Sequence, residues 1–226
     1  STINAMQQEL MRIADQCDGV RCDMAMLILP DIFERTWGRR AHSFWPQTID
    51  AVRKKYPNFC FMAEVYWDLE WEMQRQGFDY AYDKRLYDRL VEGDPVHVKE
   101  HLYAGLVYQD KLARFLENHD EPRAAHTFFT EKHFATAIIT YLAPGLRFFH
   151  LGQLDGRKVR ISPHLVRGPQ EQAVPEIEEF YHRLLVVLQN TAFRQGNWQL
   201  LHCSPAWDGN YSWQSFLIYY WTHTSA

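Results

Sequence analysis

The sequence predicts an α/β fold, a parallel barrel of alternating strands and helices, and three segments carry that prediction. They are Gly19–Met26 (GVRCDMAM), Phe61–Trp67 (FMAEVYW) and Phe115–Arg123 (FLENHDEPR). Each is an apolar run with strand propensity that closes on a carboxylate, Asp23, Glu64 or Asp120, and helix-like sequence follows each. In such a barrel the C-terminal ends of the strands converge on one face, and chemistry is done there. One strand-end carboxylate says little. Three in order, two of them beside a basic residue (Arg21, His119), form a constellation.

Taken in order, the elements fit that frame. Ser1–Ala5 (STINA) reads as a cloning remnant and is set aside, and a helix over roughly Met6–Cys17 opens the folded chain. A strand over Gly19–Met24 is followed by a helix around Pro46–Tyr56, whose proline suits a first helical turn. The second strand, Asn58–Glu64, leads into a polar, aromatic-rich stretch, Val65–Gln76. Phe78–Tyr82 is a short third strand, and Lys84–Glu92 and His97–Leu112 read as helices. The fourth strand spans Ala113–Asn118. Phe134–Leu142 is an apolar helix stopped by Pro144-Gly145, before a fifth strand, Leu146–Leu151. A loop rich in Gly, Pro and Arg (Asp155–Pro175) precedes an amphipathic helix, Glu176–Gln195, with Gly196-Asn197 as its stop. The barrel part thus covers residues 6–196, and residues 197–226 read as the beginning of a β-domain, with turn signals such as Asp208-Gly209.

Composition narrows the class further. A net charge of −4 and a pI near 6.2 give no basic stripe for nucleic acid. No apolar run approaches the roughly 20 residues needed to span a membrane. The four cysteines, Cys17, Cys22, Cys60 and Cys203, lack metal or disulfide spacing; they read as reduced thiols and lean towards a cytosolic chain. Of the eleven histidines, His97 and His101 stand four apart on a predicted helix, a spacing that permits a ligand pair but reads better as a solvated face. No metal or cofactor is expected.

The chemistry open to a carboxylate trio is narrow. Retaining hydrolysis of a glycosidic bond uses one carboxylate as nucleophile and a second, protonated carboxyl to give the leaving oxygen its proton, the two roughly 5–5.5 Å apart. Their environments must differ. Arg21, two residues before Asp23 and so on the same strand face, is placed to keep Asp23 ionised. Glu64 follows FCFMA with no basic neighbour in sequence, an apolar setting expected to favour the protonated form. Asp23 is therefore the expected nucleophile and Glu64 the general acid/base. The aromatics directly after Glu64, Tyr66, Trp67 and Trp71, are placed to border a cleft, as stacking platforms or as packing.

These segments resemble glycoside hydrolase family 13, the α-amylase family. That family's pattern is G-x-R-x-D at strand four, an apolar run closing on E at strand five and N-H-D at strand seven. Here they read Gly19-Val20-Arg21-Cys22-Asp23, Phe61-Met62-Ala63-Glu64 and Asn118-His119-Asp120. Leu146–Gly156 looks like strand eight with its Gly152-Gln153 pair. The resemblance implies that Asp23, Glu64 and Asp120 are nucleophile, acid/base and transition-state stabiliser. It also implies that Arg21 and His119 contact the nucleophile and the sugar, that Gln153 makes either a ligand contact or a loop hydrogen bond, and that the substrate is an α-glucan or oligosaccharide. The Lys-His pair that many amylases carry after the nucleophile is replaced by Met26-Leu27. This departure points away from ordinary starch endo-hydrolysis, towards a related glycosidase or transglycosylase. The rival expectation is a non-catalytic sugar-binding or interaction protein derived from the same barrel.

Strands one to three of the family barrel have no counterpart, so the expected architecture is a partial (β/α)8 barrel, strands four to eight with their helices, plus the start of a C-terminal β-domain. Such a chain is expected to be inactive alone, because the missing half supplies further sugar contacts. It is also expected to form homo-oligomers through its exposed barrel edges.

Overall fold

The computed structural model describes residues 2–165 and 167–223. Of the segments singled out above, Ser1 of the remnant, Val166 of the long loop and Thr224–Ala226 lie outside the described residues. Five strands, β1 (Gly19–Cys22), β2 (Cys60–Ala63), β3 (Tyr80–Tyr82), β4 (Leu112–Arg114) and β5 (Leu146–Arg147), form one sheet in chain order. The pairs β1–β2, β2–β3 and β3–β4 are parallel, in the register Arg21↔Met62, Ala63↔Ala81 and Tyr82↔Ala113. Helix α1 (Thr2–Ala14) precedes the sheet; α2 (Pro30–Trp37), α3 (Trp45–Lys55), α4 (Glu70–Arg75), α5 (Lys84–Glu92), α6 (Pro95–Leu102), α7 (Leu106–Gln109), α8 (Ala124–Thr127) and α9 (Thr130–Leu142) connect its strands; α10 (Pro175–Leu188) and α11 (Ala192–Gln195) follow it. This is the expected α/β class. An antiparallel pair, β6 (Asn197–Leu201) with β7 (Ile218–Thr222), ends the described chain.

Two compact units are distinguished, Ser1–Lys84 with Asp110–Ala113, and Arg85–Gln109 with Arg114–Ala226. In the first, Trp45, Ile49 and Val52 of α3 pack with Phe59, Phe61, Val65, Met73 and Phe78 into a buried cluster. The rings of Phe61 and Phe78 meet edge to face at 6.2 Å. That geometry adds to the burial of large side chains. Trp45 also reaches back to the β1 end, donating its indole N–H to the Ala25 carbonyl at 2.8 Å.

In the second unit a charge organises the chain. Arg114 in β4 is fully buried and donates to the Pro144 carbonyl (3.0 Å) and to Gln109 Oε1 (2.8 Å). Gln109 in turn donates to the Leu102 and Ala104 carbonyls. These inward contacts explain why the helix expected over His97–Leu112 is two pieces, parted around Gly105, with Leu112 already in β4. They also correct the reading of His101: it is buried, its Nε2 3.4 Å from Arg114, and not on a solvated face. The helix expected over Glu176–Gln195 likewise ends at Leu188, and the Asn190 side chain accepts the Ala192 N–H that opens α11.

Elsewhere the differences are of extent. The first helix begins at Thr2, within the segment set aside as a remnant, and ends at Ala14. The strands are shorter than expected, and α2 and α4 lie in stretches not read as helix.

Candidate active site

Arg21 lies in β1 and Asp23 stands directly after its end, two residues on. Arg21 Nη1 lies 2.5 Å from Asp23 Oδ1, and its Nη2 lies 2.7 Å from Glu64 Oε1. Its Nε donates to the Tyr82 hydroxyl at 3.3 Å, with the guanidinium 5.7 Å from that ring's centroid. One cation thus joins the ends of β1, β2 and β3. Burial works against the Arg21 charge, but the Tyr82 hydroxyl, Asp23 and the nearby Glu64 charge outweigh it and raise its pKa.

The two carboxylates differ in setting. The Glu64 side chain is 3% exposed and that of Asp23 78%. Glu64 is not in the donor-free apolar pocket expected from its own strand: besides Arg21, the Met24 N–H donates to Oε2 at 2.7 Å and the Tyr66 hydroxyl to Oε1 at 3.0 Å. The parallel register of β1 on β2, which no local sequence reading contains, delivers two of these three donors. Cys22, between Arg21 and Asp23, has its thiol pushed up to about 12 by burial against the opposing pull of Arg21, so it offers no thiolate.

The backbone here is strained. Among the described residues the non-glycine positions with positive φ are Met24 (42°), Trp67 (64°) and Asp68 (59°). All three stand one to four positions after Asp23 or Glu64. Such conformations carry about 1–3 kcal/mol each and cluster where function needs a fixed geometry. Met24 shows the use, because its turn aims the N–H at Glu64. Trp67 is 63% exposed and lines a cavity of about 320 Å³ with Ile32, Arg35, Thr36 and Leu69.

The second unit carries the remaining site residues. Asn118 Oδ1 accepts the N–H groups of Asp120 and Glu121, both at 2.9 Å, making a tight turn. His119 Nε2 sits 3.2 Å from Asp120 Oδ2, both side chains partly exposed. Gln153 is placed differently from a sugar contact: it is buried, donates to the Tyr141 (2.7 Å) and Tyr181 (2.8 Å) hydroxyls, and accepts the His150 N–H. Its amide is engaged inside the protein, which favours the hydrogen-bonding alternative over a ligand contact. Sequence reasoning missed Tyr82 and Glu117. Tyr82 could have been flagged by its position at a strand end, whereas Glu117, one residue before Asn118, has no local signal. Among the described residues no group of three His, Cys, Asp or Glu could hold a metal ion, and no helix is long and apolar enough to cross a membrane.

No protein-family profile matches the chain, and no curated protein matches it. Solved structures do. A noncanonic maltogenic α-amylase from Thermotoga neapolitana superposes with a TM-score of 0.66 at 19% identity, over 97% of this chain and 51% of that one. An Anoxybacillus α-amylase gives 0.67 at 15% identity, over 98% and 50%. An α-amylase from H. orenii gives 0.63 at 20% identity, over 88% and 50%. The fold is therefore that of part of the (β/α)8 barrel of α-amylase-family enzymes, and the chain spans about half the length of these structures.

Proposed function

We propose that the chain is part of a retaining α-glycosidase or α-glucanotransferase acting on α-linked glucans or oligosaccharides. The observation that carries the reading is the Arg21 bridge, which gathers a strand-end carboxylate pair of unequal burial, each followed within four residues by strained backbone. In the proposed reaction an Asp23 oxygen attacks the anomeric carbon, Glu64 gives its proton to the glycosidic oxygen, and the bond to the leaving sugar breaks. Glu64 then takes the proton of a water or sugar hydroxyl, which displaces Asp23 and restores the α configuration. Asp120 and His119 would bind hydroxyls of the reacting sugar, and Tyr66 and Trp67 would flank it.

The exposure of Asp23 favours a second reading for the chain by itself, sugar binding without robust turnover, because such chemistry needs an enclosed, water-poor site. One experiment separates the two. The chain is titrated with maltotriose by NMR, then treated with an α-configured glucosyl epoxide of the cyclophellitol type and weighed by mass spectrometry. Maltotriose shifts at Arg21 and Glu64 with a covalent adduct on Asp23, lost in Asp23→Asn, support the glycosidase. Shifts without an adduct support the binder. A chain that neither shifts nor is labelled refutes sugar binding by the chain alone, and the same silence in a protein that completes its barrel refutes the glycosidase.

A further inference from the structure

Glu117 is fully buried, and no step of the proposed chemistry uses it. Its two oxygens take different partners. Oε1 lies 2.5 Å from Arg123 Nη1 and 2.9 Å from His150 Nδ1, while Oε2 accepts the backbone N–H of Ala124 at 2.7 Å. Ala124 opens α8. The carboxylate thus joins the two ends of segment 118–122, the turn that displays His119 and Asp120. Arg123, also buried, extends the tie to the Leu151 carbonyl (2.8 Å) and the Val159 carbonyl (3.2 Å). It also lies 2.8 Å from His150 Nδ1. An arginine donates and a carboxylate accepts, so Nδ1 makes one of these two contacts as a hydrogen bond, accepting from Arg123 or donating to Glu117. From the other side, Arg160 Nε donates to the His119 carbonyl at 3.3 Å.

A carboxylate stripped of water is unfavourable unless paired, and a hydrophobic side chain would fill the position more cheaply. What an apolar residue cannot do is accept from a guanidinium and a backbone N–H across a turn. We infer that Glu117, with Arg123 and His150, is a positioning element for the Asp120 turn. It staples the ends of the turn so that Asn118 holds the Asp120 and Glu121 N–H groups and the Asp120 carboxylate stays beside His119. The functional consequence rests on the reading of Asp120 as a sugar-binding residue; the staple itself does not.

The test uses amide hydrogen exchange by NMR on the chain as it stands. Glu117→Gln keeps the shape and removes the charge and one acceptor. Exchange at Asp120 and Glu121 should accelerate by about tenfold or more, with Leu184 of α10 unchanged, and Glu117→Asp should restore part of the protection. Acceleration spread uniformly over α9 and α10, or none at Asp120 and Glu121, overturns the inference. Should Glu117→Gln fail to fold, Arg123→Lys keeps a cation but loses the fork, and the same two outcomes decide. Maltotriose provides the readout that a packing role would not move. In the variant its shifts at His119 and Asp120 should fade while those at Arg21 and Glu64 persist. If the unsubstituted chain gives no maltotriose shift at any of these residues, the reading of Asp120 as a sugar contact in this chain fails and the exchange comparison still decides the staple.

Discussion

His133 takes its properties from what surrounds it in the fold. It is fully buried; its Nε2 lies 2.8 Å from the Tyr181 hydroxyl and its Nδ1 has no hydrogen-bond partner among the described residues. The rings of Phe128, Phe134 and Tyr181 surround it, and Glu117 contributes the one opposing charge. Burial pushes its pKa down to about 4, despite the upward pull of Glu117. A histidine whose folded pKa is depressed binds fewer protons folded than unfolded between that value and about 6.5. Its contribution to stability is therefore complete above about pH 6.5 and is lost as pH falls towards 4. At pH 4.5 the loss should be about 2–3 kcal/mol. Urea unfolding at pH 7 and pH 4.5 should show this loss in the native chain and not in His133→Gln. Equal losses in the two would place the acid sensitivity elsewhere. Arg21 makes the complementary point, since its pairing with Asp23 follows from their spacing in sequence, and its pairing with Glu64 does not.

At the scale of elements, Gly19 explains the first position of the G-x-R-x-D segment. A Cβ there would sit 2.7 Å from the Cys60 carbonyl oxygen, so β1 and β2 can approach closely only with glycine at this position. Gly19→Ala should push the strands apart at their N-terminal ends, destabilise the chain by about 1–3 kcal/mol, and loosen the Arg21–Glu64 contact that depends on the register. Thermal unfolding with loss of the maltotriose response would show both effects, and a variant as stable as the native chain would refute the argument. The same elements show what the sequence made legible. The five strands were readable because each is a short apolar run closing on a polar residue or a turn. Helix continuity was not, because the breaks at Gly105 and Asn190 come with short-range side-chain bonds that residue type alone does not announce, Gln109 serving Arg114 and the Leu102 and Ala104 carbonyls, and Asn190 accepting from the Ala192 N–H. The helix α2 went unread because Pro30–Trp37 is short and begins on a proline that also reads as a turn. At the site, the carboxylates were legible from their strand-end positions, and the donors around Glu64 were not, because they arrive through parallel pairing and a strained turn.

For the molecule as a whole, the sheet order leaves β1 and β5 at its two ends, each with one edge unpaired by another described strand. Beside β1 lies a cavity of about 590 Å³ walled largely by apolar side chains, among them Ile3, Met6, Leu10, Val20, Phe33 and Phe44. An unpaired parallel edge next to an open apolar wall is a template for a further strand. An apolar area of this kind also favours association over exposure to water. We propose that the isolated chain covers this face with a second copy of itself. Sedimentation velocity at micromolar concentration should then show a dimer or larger species. Val20→Lys, which sets a charge on the β1 edge and in the cavity wall, should shift it to monomer while leaving the second unit's exchange pattern intact. A monodisperse monomer from the native chain would mean that the β1 edge is sealed without a partner. The expectation of self-association would then be wrong, whatever the fate of the glycosidase reading.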